Sequence, residues 1–351
     1  RHGLGRAFLL CVLIPLISHA ADTPAPYPNS AFIDEQGRTH VTLVVPVPVT
    51  LSPEGQAKLS KPPPSILSSG ASVAEQRMRM DARQQRDAAA CIQIYPAKWV
   101  ESAIAGVTVR IVDPVAPAPD QEERVLINLH GGAFRVDAGS LLESIPIASL
   151  TRTRVVSVLY RMAPEHPFPA AVDDAVAVYR ELLKTHSAKN LVLYGTSAGA
   201  ILTAETAVRL KQLGLPLPAA LGLFSGMADF TKSGDSAALF TLQGLTGSLL
   251  FRGPGPLMPE YVGQTAANDP VLSPVFADLR GMPPTLFLTS TRDLLLSGTV
   301  ILHRSFLRAG VDARLAVWEA LPHAFWLDSA LPESHEANQM IARFFAEHLG
   351  K

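Results

Sequence analysis

Along the last two-thirds of the chain, apolar residues gather into short runs separated by longer stretches of mixed polarity. Runs at 107–112, 125–129, 155–159, 191–194, 221–224, 286–289 and 315–318 are predicted strands. Several are continuously apolar rather than alternating, the pattern of strands buried on both faces. Between them, 170–185, 198–213, 298–308 and 333–348 have the length and composition of helices. Strands alternating with helices imply βαβ crossovers, so the pattern predicts an α/β fold with a mostly parallel central sheet flanked by helices. The interval 226–269 breaks this rhythm with frequent Gly, Pro and Ser, and reads as an insertion or lid. No internal repeat is present.

Upstream the pattern differs. Ser72 with Glu75 three residues later forms a capping box, and no Gly or Pro interrupts 73–92, which predicts a helix. It is strongly polar (Gln76, Arg77, Arg79, Asp81, Arg83), so it should lie outside a core or flap over one. Residues 21–70 are rich in Pro, Ser and Gly and read as an extended leader with one apolar stretch at 41–45. Residues 1–20 carry the order of a secretory signal: Arg1 and Arg6, an apolar run over 7–17 broken by Pro15, then Ser18-His19-Ala20. That run is too short to span a bilayer. An exported protein is expected, with the boundaries 1–20 for the signal peptide, 21–95 for the N-terminal region and 96–351 for the main domain. Cleavage after Ala20 would remove Cys11 and leave Cys91 alone, so no internal disulfide is expected.

Composition narrows the partners. With 48% hydrophobic and 17% charged residues the chain can bury a sizeable core, which excludes disorder. A net charge of −1, without a run of either sign, argues against nucleic acid and for a small molecule as partner. The oligomeric state is not set by these features.

Chemistry enters at Gly195-Thr196-Ser197-Ala198-Gly199, which joins the predicted strand at 191–194 to a small-residue helix start. A nucleophilic serine needs a sharp strand-to-helix turn, and glycines two residues either side allow close backbone approach. The helix start adds free N–H groups and the positive dipole end. His130-Gly131-Gly132-Ala133 follows the strand at 125–129, and paired glycines there can aim backbone amides at an oxyanion. His130 is expected to order that loop rather than transfer protons. A serine nucleophile also needs a base held by a carboxylate. Asp293 follows the run 285–289 by four residues and His323 follows 316–319 by four, which puts them at the sheet edge from which Ser197 emerges. Asp269, Asp278 and Asp328 are rival acids, and His303 and His335 rival bases; both histidines fall inside helical segments. No His-Glu-x-x-His spacing, thiolate cluster or phosphate-binding glycine loop is present, so no metal or organic cofactor is expected.

Together these segments resemble the hormone-sensitive-lipase-like family of α/β-hydrolases over about residues 95–350. The resemblance rests on 130–134, on Tyr160-Arg161-Met162-Ala163-Pro164-Glu165-His166-Pro167-Phe168-Pro169, on 195–199, on Thr291-Arg292-Asp293-Leu294-Leu295 and on Leu321-Pro322-His323-Ala324-Phe325. It implies Ser197 as nucleophile, Asp293 as acid, His323 as base, and an oxyanion hole from the N–H groups of Gly131, Gly132 and Ala198. It also implies a helical cap, for which 51–95 and 226–269 are the candidates, and a bracing Arg161–Glu165 contact. Thr196 stands where Asp is usual, the mark of a Gly-Thr-Ser-Ala-Gly subgroup. Ala133 and Ala324 stand where glycines are common.

The expected function is hydrolysis of carboxylic esters with short-to-medium acyl chains through an acyl-enzyme. Amide, lactone or carbamate hydrolysis on the same triad is the alternative. A non-catalytic ligand-binding protein on this fold is the reading from another class, and it would not be labelled by a serine-reactive fluorophosphonate.

Overall fold

The computed structural model describes residues 29–61, 71–119, 121–250 and 257–351. The expected signal segment at 1–20 and the proline run at 62–64 lie outside them. The chain divides into two compact units, Arg1–Val47 and Pro48–Lys351.

In the first unit, strands β1 (Ser30–Ile33) and β2 (Thr39–Thr42) pair antiparallel. The Asp34 carboxylate closes their turn by accepting the N–H groups of Gln36 (3.0 Å) and Arg38 (2.8 Å). The leader expected there as extended chain therefore contains a hairpin, specified by an Asx-type turn rather than by an apolar run.

The second unit runs α1 (Pro53–Leu59), α2 (Val73–Ile94), β3 (Ala97–Ile104), β4 (Val107–Pro114), β5 (Val125–Leu129), α3 (Ile145–Thr151), β6 (Val155–Val158), α4 (Ala170–Leu182), β7 (Leu191–Thr196) and α5 (Ala198–Gln212). It continues with β8 (Ala220–Phe224), α6 (Ser236–Leu239), α7 (Pro259–Val262), β9 (Thr285–Ser290), α8 (Leu296–Arg308), β10 (Ala313–Trp318) and α9 (Pro332–His348). Eight strands form one sheet in the order β10-β9-β8-β7-β5-β6-β4-β3. Strand β4 is antiparallel to both neighbours, and every other pair is parallel.

Period-two alternation along the buried strands sends side chains to two cores. Val125, Ile127 and Leu129 of β5 pack into the core shared with α4, α5 and α8, whereas Leu126 packs into the core shared with α2, α3 and α9. On the second face α9 lays Phe345 beside Tyr194 (ring centroids 5.3 Å apart) and near Phe224 (6.5 Å). Burying such a ring contributes about 2–3 kcal/mol. The predicted strands and long helices are all present. Strand β3 carries no continuous apolar run, because Lys98, Glu101 and Ser102 interrupt it; as an antiparallel edge it needs only one covered face.

Helix α2 begins at the expected capping box. Ser72 Oγ accepts the Glu75 N–H (3.2 Å) while the Glu75 carboxylate accepts the Ser72 N–H (2.7 Å). Its few buried residues, Gln84, Ala88 and Cys91, form one narrow stripe. None of the helices in the described residues is long and apolar enough to cross a membrane.

The order of connections positions the site. From β5 the chain moves to β6 on one side, then crosses back to β7 on the other. That reversal opens a crevice at the carboxyl ends of β5 and β7, the usual ligand position in open parallel sheets.

Candidate active site

Ser197 is the single residue between β7 and α5, half-buried, with φ 59° and ψ −121°. A non-glycine residue at such a φ is held there by its surroundings. Its N–H is donated to Phe224 O on β8 at 2.8 Å. The flanking glycines let the turn close on β5: a Cβ at Gly195 would sit 2.1 Å from Leu129 O, and one at Gly199 1.8 Å from the same oxygen. The five-residue pattern is thus a packing requirement of the turn as well as a display of the hydroxyl.

After β5, residues 130–134 pass beneath Ser197. A Cβ at Gly131 would lie 2.9 Å from Thr196 O and 3.5 Å from Ser197 Cβ, so loop and turn touch through backbone. His130 is fully buried, bonded through Nδ1 to Gly131 O (2.9 Å) and stacked on Tyr160 with centroids 4.2 Å apart. Tyr160 Oη donates to His130 O at 2.7 Å. His130 is built into the loop, as expected of an ordering residue.

The loop donors need one correction. The Gly131 N–H is donated to Glu143 Oε1 at 2.8 Å and is therefore not free to receive a substrate oxygen. The N–H groups of Gly132, Ala133 and Ala198 have no acceptor among the described residues. Ala133 replaces Gly131 as a candidate donor, and its φ of 56° marks the turn where a glycine would sit without strain. Glu143, turned back under the loop, shifts the candidate donors one residue later than the resemblance implies.

Asp293, in the turn after β9, is completely buried. Its Oδ1 pairs with His323 Nδ1 at 2.8 Å and accepts the Leu295 N–H at 2.8 Å. Its Oδ2 accepts hydroxyls from Thr289 (3.0 Å) and Ser225. Burial alone would push this carboxyl up, but the His323 charge and the Ser225 and Leu295 donors hold it below the ordinary Asp value. It therefore stays ionised, the state that fixes a proton on Nδ1 and leaves Nε2 free to accept one.

The His323 loop after β10 is tied down at both ends. Thr291 Oγ1 accepts the Ala320 N–H (2.7 Å), Ser290 Oγ donates to Leu321 O (2.5 Å), and Ala324 adopts φ 55°. Trp326 Nε1 then donates to Thr196 Oγ1 at 3.1 Å, joining this loop to the residue before Ser197. Thus Asp293 and His323 are brought into contact, Gly131 lies against Ser197, and the histidine loop is anchored to the serine turn. The Ser197 hydroxyl itself makes no hydrogen bond among the described residues.

The rivals are engaged elsewhere. Asp278 pairs with Arg280, Asp328 with Lys58, and Asp269 accepts the N–H groups of Val271 and Leu272. His303 bonds Ala313 O, and His335 bonds the Tyr95 hydroxyl. Cys91 is buried, and burial pushes its thiol up to about 12, which removes it as a nucleophile near neutral pH.

A family model described as alpha/beta hydrolase fold matches residues 126–327. The chain belongs to the α/β-hydrolase fold family. Within this family its place is the hormone-sensitive-lipase-like branch. An acetyl-hydrolase of Streptomyces hygroscopicus is 33% identical over 236 residues, covering 66% of this chain and 78% of that protein. The crystal structure of esterase E25 is 34% identical with a TM-score of 0.78, covering 90% of this chain and all 100% of that one. An esterase from the bacterial hormone-sensitive lipase family is 27% identical with a TM-score of 0.72, covering 85% and 99%.

One further α/β-hydrolase feature differs from expectation. Arg161 does not pair with Glu165; it grips Asp174 on α4 through Nε and Nη2 (3.0 and 2.8 Å). Glu165 instead receives both terminal nitrogens of Arg77 from α2 (2.9 and 2.7 Å). The bracing is real, but its partners come from helices that sequence proximity did not suggest.

Proposed function

We infer that this chain is a serine carboxylesterase of the Gly-Thr-Ser-Ala-Gly subgroup, acting on short-to-medium acyl esters through Ser197, His323 and Asp293. The observation that carries this reading is the buried, ionised Asp293 fixing His323 Nδ1 in a loop anchored to the Ser197 turn. His323 Nε2 takes the Ser197 proton as Oγ attacks the ester carbonyl carbon. The carbonyl oxygen becomes the oxyanion, for which the amides of Gly132, Ala133 and Ala198 are the candidate donors, each typically worth about 3–4 kcal/mol of transition-state stabilisation. The C–O bond to the alcohol breaks, and the alcohol leaves with the proton held by His323. Water then gives a proton to His323 and attacks the acyl-enzyme, releasing the acid and restoring Ser197. Serine-to-base hydrogen bonds are often loose without substrate and tighten in the reacting complex.

The acetyl-hydrolase name of the Streptomyces relative favours short acyl groups. A cap that includes α2 and α7 is supported by two contacts over the oxyanion loop. Arg77 of α2 donates to Arg135 O and Ala163 O (2.9 and 3.0 Å), and Tyr261 of α7 stacks on Phe134 with centroids 3.5 Å apart.

The test is hydrolysis of p-nitrophenyl esters of increasing acyl length, with Ser197→Ala as control. The variant should fold normally and turn over none of them, and the wild type should favour short chains and react with a fluorophosphonate. Undiminished turnover by Ser197→Ala would remove the nucleophile from the mechanism.

A further inference from the structure

Glu143 takes no part in the steps above, yet it lies directly behind them. It follows the oxyanion loop in sequence, and its N–H is donated to Gly139 O at 2.7 Å, which folds 139–143 into a helical turn. The turn carries the carboxylate back under the site. Oε1 accepts the Gly131 N–H at 2.8 Å. Oε2 accepts the Thr196 N–H at 3.1 Å and the Asn128 side-chain amide at 2.9 Å. Ser157 Oγ donates to Asn128 Oδ1 at 2.7 Å, which fixes the amide nitrogen toward Glu143. Gly131 immediately precedes Gly132, and Thr196 immediately precedes Ser197. One carboxylate therefore bridges the peptide before the candidate loop donors and the peptide before the nucleophile. Space has been left for it, because a Cβ on Gly139 would come within 1.9 Å of Glu143 Oε1.

We propose that Glu143 is a positioning residue for ester hydrolysis, its buried carboxylate holding the oxyanion loop and the Ser197 turn in register through the amides of Gly131 and Thr196. This rests on the reading of Ser197 as nucleophile. The geometry is demanding: oxyanion donors act only when they sit about 2.7–3.1 Å from the developing oxyanion, and a 1 Å misplacement can cost about 100-fold in rate. Two loops that meet only through backbone contact have no side chain of their own to hold that spacing. A single planar group bonded to both does.

The cage also selects a protonation state. All three partners of the carboxylate are N–H donors, so the ionised form fits them and the protonated form would turn an O–H against an N–H. Burial pushes Glu143 up to about 7, the Gly131 and Asn128 donors pull it down, and the charge of Asp137 adds to the rise. The other titratable groups around it are His130 on the same loop, Tyr160 after β6, and Tyr194 on β7, whose hydroxyl donates to Glu143 O at 3.1 Å. Protonation of Glu143 loosens the bridge as pH falls through about 7.

The experiment is steady-state hydrolysis of p-nitrophenyl acetate by the full chain and by Glu143→Gln, across pH 5 to 9. Glutamine keeps the shape but sets an NH2 group against an N–H. The expected result is a fall in kcat of about 10- to 100-fold with KM within about threefold of wild type. The acid limb of the wild-type kcat profile should carry an ionisation near pH 7 that the variant lacks. Unchanged kcat overturns the proposal, as does a fall in kcat that leaves the acid limb untouched. If Glu143→Gln fails to fold, Ser157→Ala keeps the carboxylate and frees the Asn128 amide to turn away. It should lower kcat several-fold at constant KM, and wild-type kcat would overturn the proposal. Inactivity of the wild type toward every ester, or activity of Ser197→Ala, would instead refute the esterase reading.

Discussion

Ser197 and Asp293 show how single residues are set for reaction at a cost to the fold. Ser197 sits at φ 59°, and such a position costs of order 1–3 kcal/mol that the turn's hydrogen bond to Phe224 and its packing on β5 must offset. Asp293 gives up hydration and regains it as four contacts: His323, Leu295, Thr289 and Ser225. Because its folded value is lowered, its contribution to stability is present above the ordinary Asp range and is lost as pH falls through the lowered value. Asp293→Asn should remove that acid dependence from urea unfolding measured between pH 2 and 5. It should also drop kcat by about 10⁴-fold, since an amide cannot enforce the Nδ1–H tautomer. A variant retaining more than a tenth of wild-type kcat would move the acid to another carboxylate.

At the scale of elements, the loops after β5 and β10 carry a residue that their backbone does not suit. Ala133 (φ 56°) and Ala324 (φ 55°) both hold the left-handed region where glycine is unstrained. Relief of that strain outweighs the extra chain entropy of glycine. Ala324→Gly should therefore stabilise the protein by about 0.5–1 kcal/mol, read as a rise in Tm, and leave kcat within about twofold if the loop geometry is kept. A lower Tm would mean that the Ala324 methyl makes packing contacts worth more than the strain. The sequence showed these alanines as departures from a glycine pattern, but only backbone angles show that the conformation persisted while the residue changed. The same scale explains the missed elements. Strand β3 is interrupted by three polar residues, the β1–β2 hairpin is held by the Asp34 side chain, and α3 is a single short segment, so none carries the long periodic signal by which β5, β7 or α5 were visible.

Across the second unit as a whole, one buried cation ties segments remote in sequence. Arg110 on β4 meets Asp137 and Ser140 from the loop that carries Glu143, Asp81 from α2, and Glu101 from β3. Its guanidinium also lies over Trp99, 5.4 Å from the ring centroid. Asp137 is the one acidic partner that is mostly covered, so Arg110→Met would leave a carboxylate short of its counter-charge. The expected cost is about 3 kcal/mol in denaturant unfolding, with a larger loss of kcat than the stability change alone would give, because the 137–143 turn carries the Glu143 bridge. A variant as stable as wild type would show that solvent, Ser140 and the neighbouring His130 ring satisfy Asp137 without the arginine.

What the sequence determined by itself is the set of local signals: alternating strands and helices, a serine between glycines at a strand end, and late acid and base residues a few positions beyond strands. Those survive in one dimension because hydrophobic period and turn chemistry are properties of neighbouring residues. Only the tertiary structure decided which donors and which salt-bridge partners are used. Glu143 takes the Gly131 amide, Asp174 takes Arg161, and Arg77 takes Glu165, each across a gap in sequence that no periodicity encodes. Hydrogen bonds are short-ranged in space and indifferent to separation along the chain, so their pairing waits for the sheet to bring the loops together.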